Sequence, residues 1–142
     1  MTTQNYKNHR KYVFGYHVIS LLGVLALIIG SIINLINSAP ENLYSASLLV
    51  LVSILLLLAF FFLRGFALKA QDRAIRAEEN FRHFILTNKP FPSGLKMRQI
   101  VGLRFASDDE FPALAEKAVK ENMSEDAIKK AIKNWKGDYY RV

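Results

Sequence analysis

Glu79 and His83 stand four residues apart in RAEENFRHF, a spacing that sets a carboxylate and an imidazole on one helix face, where such pairs can share a metal ion. Di-iron helices place the glutamate three residues before the histidine, and that position here is Asn80. A solvated acid–base pair is therefore the favoured reading. The remaining histidines are His9 and His17. His17 falls just inside an apolar run, where an ionisable side chain is a functional flag by default. Its depth is shallow, so a snorkelling, interfacial imidazole is preferred. The sequence has no cysteine and no GxSxG, HExxH or Walker loop. No nucleophile–base set appears, so no catalytic residue, metal or cofactor is expected.

The elements that carry these side chains are set by hydropathy. Residues 18–36 and 43–63 contain no charged side chain, and each run matches the roughly 20 residues a helix needs to cross a bilayer. In lipid every backbone group must be satisfied within its own segment or a closed barrel, so both are read as helices. Spans of about 16–37 and 44–65 follow. A cleaved signal fits poorly, because the apolar stretch exceeds an h-region of roughly 7–15 residues and Pro40 follows the one candidate cleavage point. Lys7, Arg10 and Lys11 precede the first span, and Arg64, Lys69, Arg73 and Arg76 follow the second. The turn between them carries one acid and no base, which places both termini in the cytoplasm.

The net charge of +7 is concentrated beside the membrane: residues 64–104 hold nine bases against three acids, and residues 105–142 hold seven against eight. Arg10, Lys11, Arg64, Lys69 and Arg73 are accordingly expected to meet anionic lipid, at about 1 kcal/mol per base near the surface. No nucleic-acid motif supports the alternative partner, and none is expected.

Ser53, Leu56, Phe60, Leu63, Ala67, Ala70, Ala74, Ala77, Phe81 and Phe84 alternate steps of three and four, a heptad seam that crosses the membrane boundary. It predicts one helix from about Ser45 to Thr87, reinforced by Asp72–Arg76 and Glu78–Arg82 pairs. Its expected partner is the first helix, with Tyr16 beside Phe66, Tyr12 beside Ala70 and His9 beside Arg73. Gly23 and Gly30 on the first span, and Ala67, Ala70, Ala74 and Ala77 on the second helix, would permit close backbone approach. The competing arrangement kinks at Gly65 and lays residues 66–86 on the bilayer, where an alanine seam would anchor weakly.

NKPFPSG ends the long helix. Short helices follow: one through Met97, Ile100, Val101 and Leu103; one from a Ser107–Glu110 capping box; and one capped by Ser124. The last is expected to carry an Ile128–Ala131–Ile132–Trp135 stripe and a C-terminal Gly137. Residues 95–142 are too few for a robust core of their own, so docking on Phe81 and Phe84, on each other or on another protein is expected. The fold class is thus an all-α membrane protein: a two-helix transmembrane hairpin with a cytoplasmic extension (1–87), then a small helical bundle (88–142).

QDRAIRAEENFRHF, MRQIVGLRFASDDEFPALA and IKKAIKNWKGDYYRV, with NHRKYVFGYH ahead of the first span, are similar to an uncharacterised family of small bacterial proteins with two membrane helices, grouped as a domain of unknown function. The resemblance covers nearly the whole chain. It implies a bacterial inner-membrane protein with no known activity and carries over no functional residue. The expected function is an accessory or structural subunit of a larger membrane assembly, in contact with other subunits or with itself. The alternatives are a small homo-oligomeric pore or transport element, and a membrane-tethered ribosome- or nucleic-acid-binding tail. Candidate partner-binding residues are Phe91, Met97, Ile100, Leu103, Phe105, Trp135, Tyr139 and Tyr140, because aromatic and methionine side chains carry interface energy out of proportion to their number.

Overall fold

The computed structural model describes residues 4–9 and 11–139. Arg10 and Tyr140 lie outside the described residues. Among those described the chain is all-helical: a π-helical turn (Gly15–Ser20), α1 (Leu21–Ile36), a 3-10 turn (Pro40–Asn42), α2 (Leu43–Thr87), α3 (Met97–Leu103), α4 (Phe111–Lys120) and α5 (Glu125–Ala131). Gly15–Ile36 and Pro40–Thr87 are each long and apolar enough to cross a membrane. The chain divides into two compact units, residues 12–67 and residues 1–11 with 68–142.

The first unit is an antiparallel helical hairpin. Pro40 sits at the start of the turn, where its fixed φ suits a helical N-terminus. α1 turns Leu21, Val24, Ile28, Ser31 and Leu35 inward; α2 answers with Ala46, Val50, Ser53, Leu57, Phe60, Arg64 and Ala67. Steps of three and four are kept on both helices. The closest approach is at small residues: Ala46, Ser31 and Ser53 are buried, and the two serine hydroxyls lie 3.2 Å apart. Each hydroxyl also donates to a carbonyl three residues back in its own helix. Tyr16 stacks on Phe60 at 4.5 Å between ring centroids and donates to its carbonyl. Nearly all other apolar side chains of the hairpin face outward, Leu22, Ile29 and Leu55 among them.

Three expectations are corrected here. Tyr16 meets Phe60, not Phe66. The seam keeps Ser53, Phe60 and Ala67 but runs through Leu57 and Arg64 in place of Leu56 and Leu63. Gly23 and Gly30 do not form the contact, since a Cβ at either would meet nothing within 4 Å; serine and alanine take that place. α2 passes Gly65 as unbroken helix.

The second unit has a core of its own: Leu103, Phe105, Ala106, Phe111, Leu114, Ala115, Ala118, Ile128 and Ile132, with Phe91, Leu95, Met123, Ala131 and Trp135 against it. Asn88, at φ 54, takes the left-handed conformation that ends α2. α4 ends similarly at Asn122 (φ 47): the Met123 amide donates to the Ala118 carbonyl and Asn122 to Val119, a Schellman pattern. Gly102 lets α3 and α5 touch, since a Cβ there would stand 3.1 Å from the Glu125 carbonyl oxygen and 3.2 Å from Ile128.

Two predicted ends differ. Ser124 caps α5 by accepting from the Ala127 amide, but the helix stops at Ala131. Trp135 then pairs with Ala106 as a lone antiparallel bridge, and Lys136 donates to the Phe105 carbonyl. Backbone pairing with residues 105–107 thus overrides the helical stripe, and Gly137 is not a cap. Ser107 makes no capping box either. Glu110, which leads into α4, instead accepts from the Lys133 and Asn134 amides at 3.1 and 3.0 Å.

Candidate functional site

Arg82 gathers the contacts made by the docked face of α2. Its guanidinium pairs with Glu79 at 2.9 Å and Asp108 at 2.6 Å, donates to the Ala106 carbonyl, and lies 4.3 Å above the Phe111 ring. It selects Glu79, not the expected Glu78, because Glu79 faces the core side. Burial pushes the Glu79 carboxyl above its ordinary pKa, against the opposing pull of Arg82. The Arg82 hydrogen bond holds Asp108 below its own. His83 is buried between Phe91 and Phe111, with Nδ1 3.0 Å from the Lys89 carbonyl oxygen. Glu79 and His83 therefore serve different partners. Among the described residues no group of three or more His, Asp or Glu could hold a metal.

A cleft of about 510 Å³ runs along the same unit, lined by Gln71, Ile75, Glu78, Glu79, Arg104, Lys136 and Asp138. Arg104 is its most confined charge. Its guanidinium stacks 4.7 Å from the Phe105 ring and reaches Asp138 at 3.2 Å, and burial lowers its pKa from the ordinary value. Glu78, Glu79 and Asp138 share the lining with Arg104 and Lys136, so the cleft holds both signs of charge. Gln99 is buried nearby. Its amide donates to the Ala118 and Met123 carbonyls and its oxygen accepts from the Lys96 amide, tying α3 to the end of α4. Sequence reasoning missed Arg104 and Gln99, and gave Arg82 only a pairing with Glu78. For Arg104 and Gln99 the signal was a long polar side chain inside an apolar stretch, which at such positions requires a partner.

The candidate partner-binding residues divide. Ile100, Leu103 and Phe105 are core residues and present no surface. Phe91, Met97 and Trp135 are half-buried; Trp135 and Phe105 lie 5.0 Å apart, and His9 packs on both. Tyr139 is exposed. The N-terminal segment supplies the contacts that close this end: Gln4 bonds twice to the Asp138 backbone, Tyr6 donates to Asp126, and Lys129 donates to His9. His9 is thus held by α5 and Trp135 and not by Arg73.

The alanine seam points elsewhere. Among residues 68–87, Ile75 and His83 are buried and Gln71, Asp72, Glu79, Arg82 and Thr87 half-buried, whereas Ala70, Ala74, Ala77, Phe81 and Phe84 are exposed. Phe81 and Phe84 are 65% and 49% exposed, so they are not the dock for the short helices. Of the bases assigned to lipid, Lys69 and Arg73 are exposed, as is Lys11. Arg64 is half-buried over the Tyr16 ring at 5.9 Å. His17 stacks on Tyr12 at 4.8 Å and keeps to the Val13 backbone.

No curated protein and no solved structure matches the chain. A family model described as "Family of unknown function (DUF6526)" matches residues 1–142, so the chain belongs to that family.

Proposed function

We propose that the chain is an accessory or structural subunit of a bacterial inner-membrane assembly, acting through helix and tail contacts and not through catalysis. Outward-facing apolar side chains all round the hairpin support a bilayer setting, because in water they would be a large uncovered patch. Residues 4–9 and 68–139 belong to one compact unit, so two crossings between them leave both ends on one side. The bases flanking the spans favour the cytoplasm for that side, with Lys11, Lys69 and Arg73 placed to meet anionic lipid.

The single observation that carries the assembly reading is the uncovered apolar face of α2 past that basic flank. Phe81 and Ile85 are 65% and 62% exposed there, beyond the segment that lipid would cover. In mild detergent the chain should migrate as a species larger than itself. Phe81→Gln with Phe84→Gln should shrink that species without unfolding the chain, because neither side chain belongs to the core. A chain that migrates alone, or only with copies of itself, after cross-linking in native membranes would overturn the reading.

A further inference from the structure

We infer that α2 docks in parallel on the α2 of a second copy of this chain, through the face bearing Ala70, Ala74, Ala77, Phe81 and Phe84. The inference rests on the membrane setting and uncovered face proposed above, and it names the occupant. These positions step by four and three, the spacing of a coiled-coil seam. The face that α2 turns to its own short helices is a different one, through Ile75, Glu79 and His83. At 3.6 residues per turn the seam centres on the far side of the helix, with Ala74 and Phe81 also reaching the rims of clefts shared with Arg104, Asp108 and Lys136. Alanine lets two backbones close in, and the two phenylalanines supply the apolar area.

Charge selects the partner. Arg73 precedes one core position and Glu78 follows another, on opposite edges of the seam and five residues apart. In a parallel pair this is the edge-to-edge reach between helices, so Arg73 of each copy meets Glu78 of the other, twice by symmetry. Both side chains are exposed, and among the described residues neither joins an ion pair within its own chain. Two copies inserted alike in one bilayer necessarily present α2 in parallel. The seam spans only some two heptads, and tethering raises the local concentration that so short a contact needs. A lipid surface fits less well: alanines bury little area, and the acidic edge at Glu78 would face anionic headgroups.

The absence of native cysteine makes single introduced cysteines informative. With the full-length chain alone in vesicles of mixed neutral and anionic phospholipid, oxidation of Ala77→Cys should give a product of twice the mass. Its yield should exceed that of Arg76→Cys, about 100° round the helix and off the seam, at least tenfold. Arg73→Glu should reduce the Ala77→Cys product about tenfold, and adding Glu78→Arg should restore it. Equal yields at positions 76 and 77, or indifference to the charge reversal, would overturn the inference. So would an Ala77→Cys thiol that is shielded from reagent yet forms no cross-link, which would place lipid on the seam. If the vesicles show no cross-link while the native species stays large with other proteins in it, the inference fails and the assembly reading stands. If the cross-link forms but the native species contains this chain alone, the reverse holds.

Discussion

At the scale of single residues, Arg82 holds two acids whose environments push them in opposite directions, and that makes their contributions separable. Glu79 has a folded pKa above its ordinary value because burial disfavours its charge. Its native form therefore binds a proton more readily than its unfolded form, and stability falls as pH rises from the ordinary value through the raised one. Asp108 is held low by Arg82, so its contribution is present above its ordinary pKa and is lost as pH falls through the lowered one. Trp135 is the only tryptophan, and it packs on the same core, so its fluorescence reports unfolding of this unit. The stability advantage of wild type over Glu79→Gln should shrink with rising pH in the acidic range, whereas that over Asp108→Asn should grow. Curves that move in the same direction would show that Arg82, and not burial, governs both. Little of this was legible beforehand. The four-residue spacing pointed Arg82 to Glu78, and only the docked face of α2 selects Glu79.

Among the elements, the type and order of the helices follow from the sequence because hydropathy and punctuation agree: the pattern predicts a helix from about Ser45 to Thr87, and α2 runs Leu43–Thr87. The facing of α2 does not follow so simply. Within FFFL and ILLLL every neighbour is apolar, so periodicity cannot tell Leu56 from Leu57. Past Ala67 the buried face steps to Gln71, Ile75 and Glu79, and a pattern search preferring alanine to glutamine goes astray. Partner identity, which periodicity does not contain, settles such choices. Substitutions should sort accordingly. Gly102→Ala forces a methyl to 3.1 Å from the Glu125 carbonyl oxygen and should cost about 1–3 kcal/mol, as overpacking does. Ala46→Leu, at a buried contact of the hairpin, should cost about the same. Ala74→Leu should change the chain's own stability by no more than about 0.5 kcal/mol, as exposed sites do. Denaturation of the three variants in detergent that leaves single chains measures this; an Ala74→Leu loss as large as that of Gly102→Ala would mean the seam is covered within the chain.

For the whole molecule, the most consequential contacts join the two ends of the chain, parts 96 to 134 residues apart. Gln4 exchanges hydrogen bonds with the Asp138 backbone, Tyr6 bonds to Asp126, and His9 sits between Phe105, Trp135 and Lys129. No periodicity in residues 4–9 announces this; the segment reads as a basic flank, and its partners become apparent only once α5 and the 105–107 pairing are built. Two experiments test the arrangement. Cysteines introduced at Lys7 and Asp109 should react with an impermeant maleimide from one side of the membrane and a cysteine at Glu41 from the other, whereas labelling of all three from one side would exclude a two-crossing chain. Removing residues 1–9 tests the clasp itself. The deletion strips the imidazole from between two aromatic rings and leaves Lys129 with Glu125 as its ion-pair partner. Insertion should survive, since both spans remain and Lys11, Arg64, Lys69 and Arg73 still flank them. Trp135, half-covered in the intact chain, should become more accessible to an aqueous quencher, with its emission shifted to the red. The C-terminal unit should lose on the order of 2 kcal/mol from the uncovered apolar surface and lost hydrogen bonds. Unchanged quenching would mean that the N-terminal segment only rests on the surface, and the core around Phe105 would then stand without it.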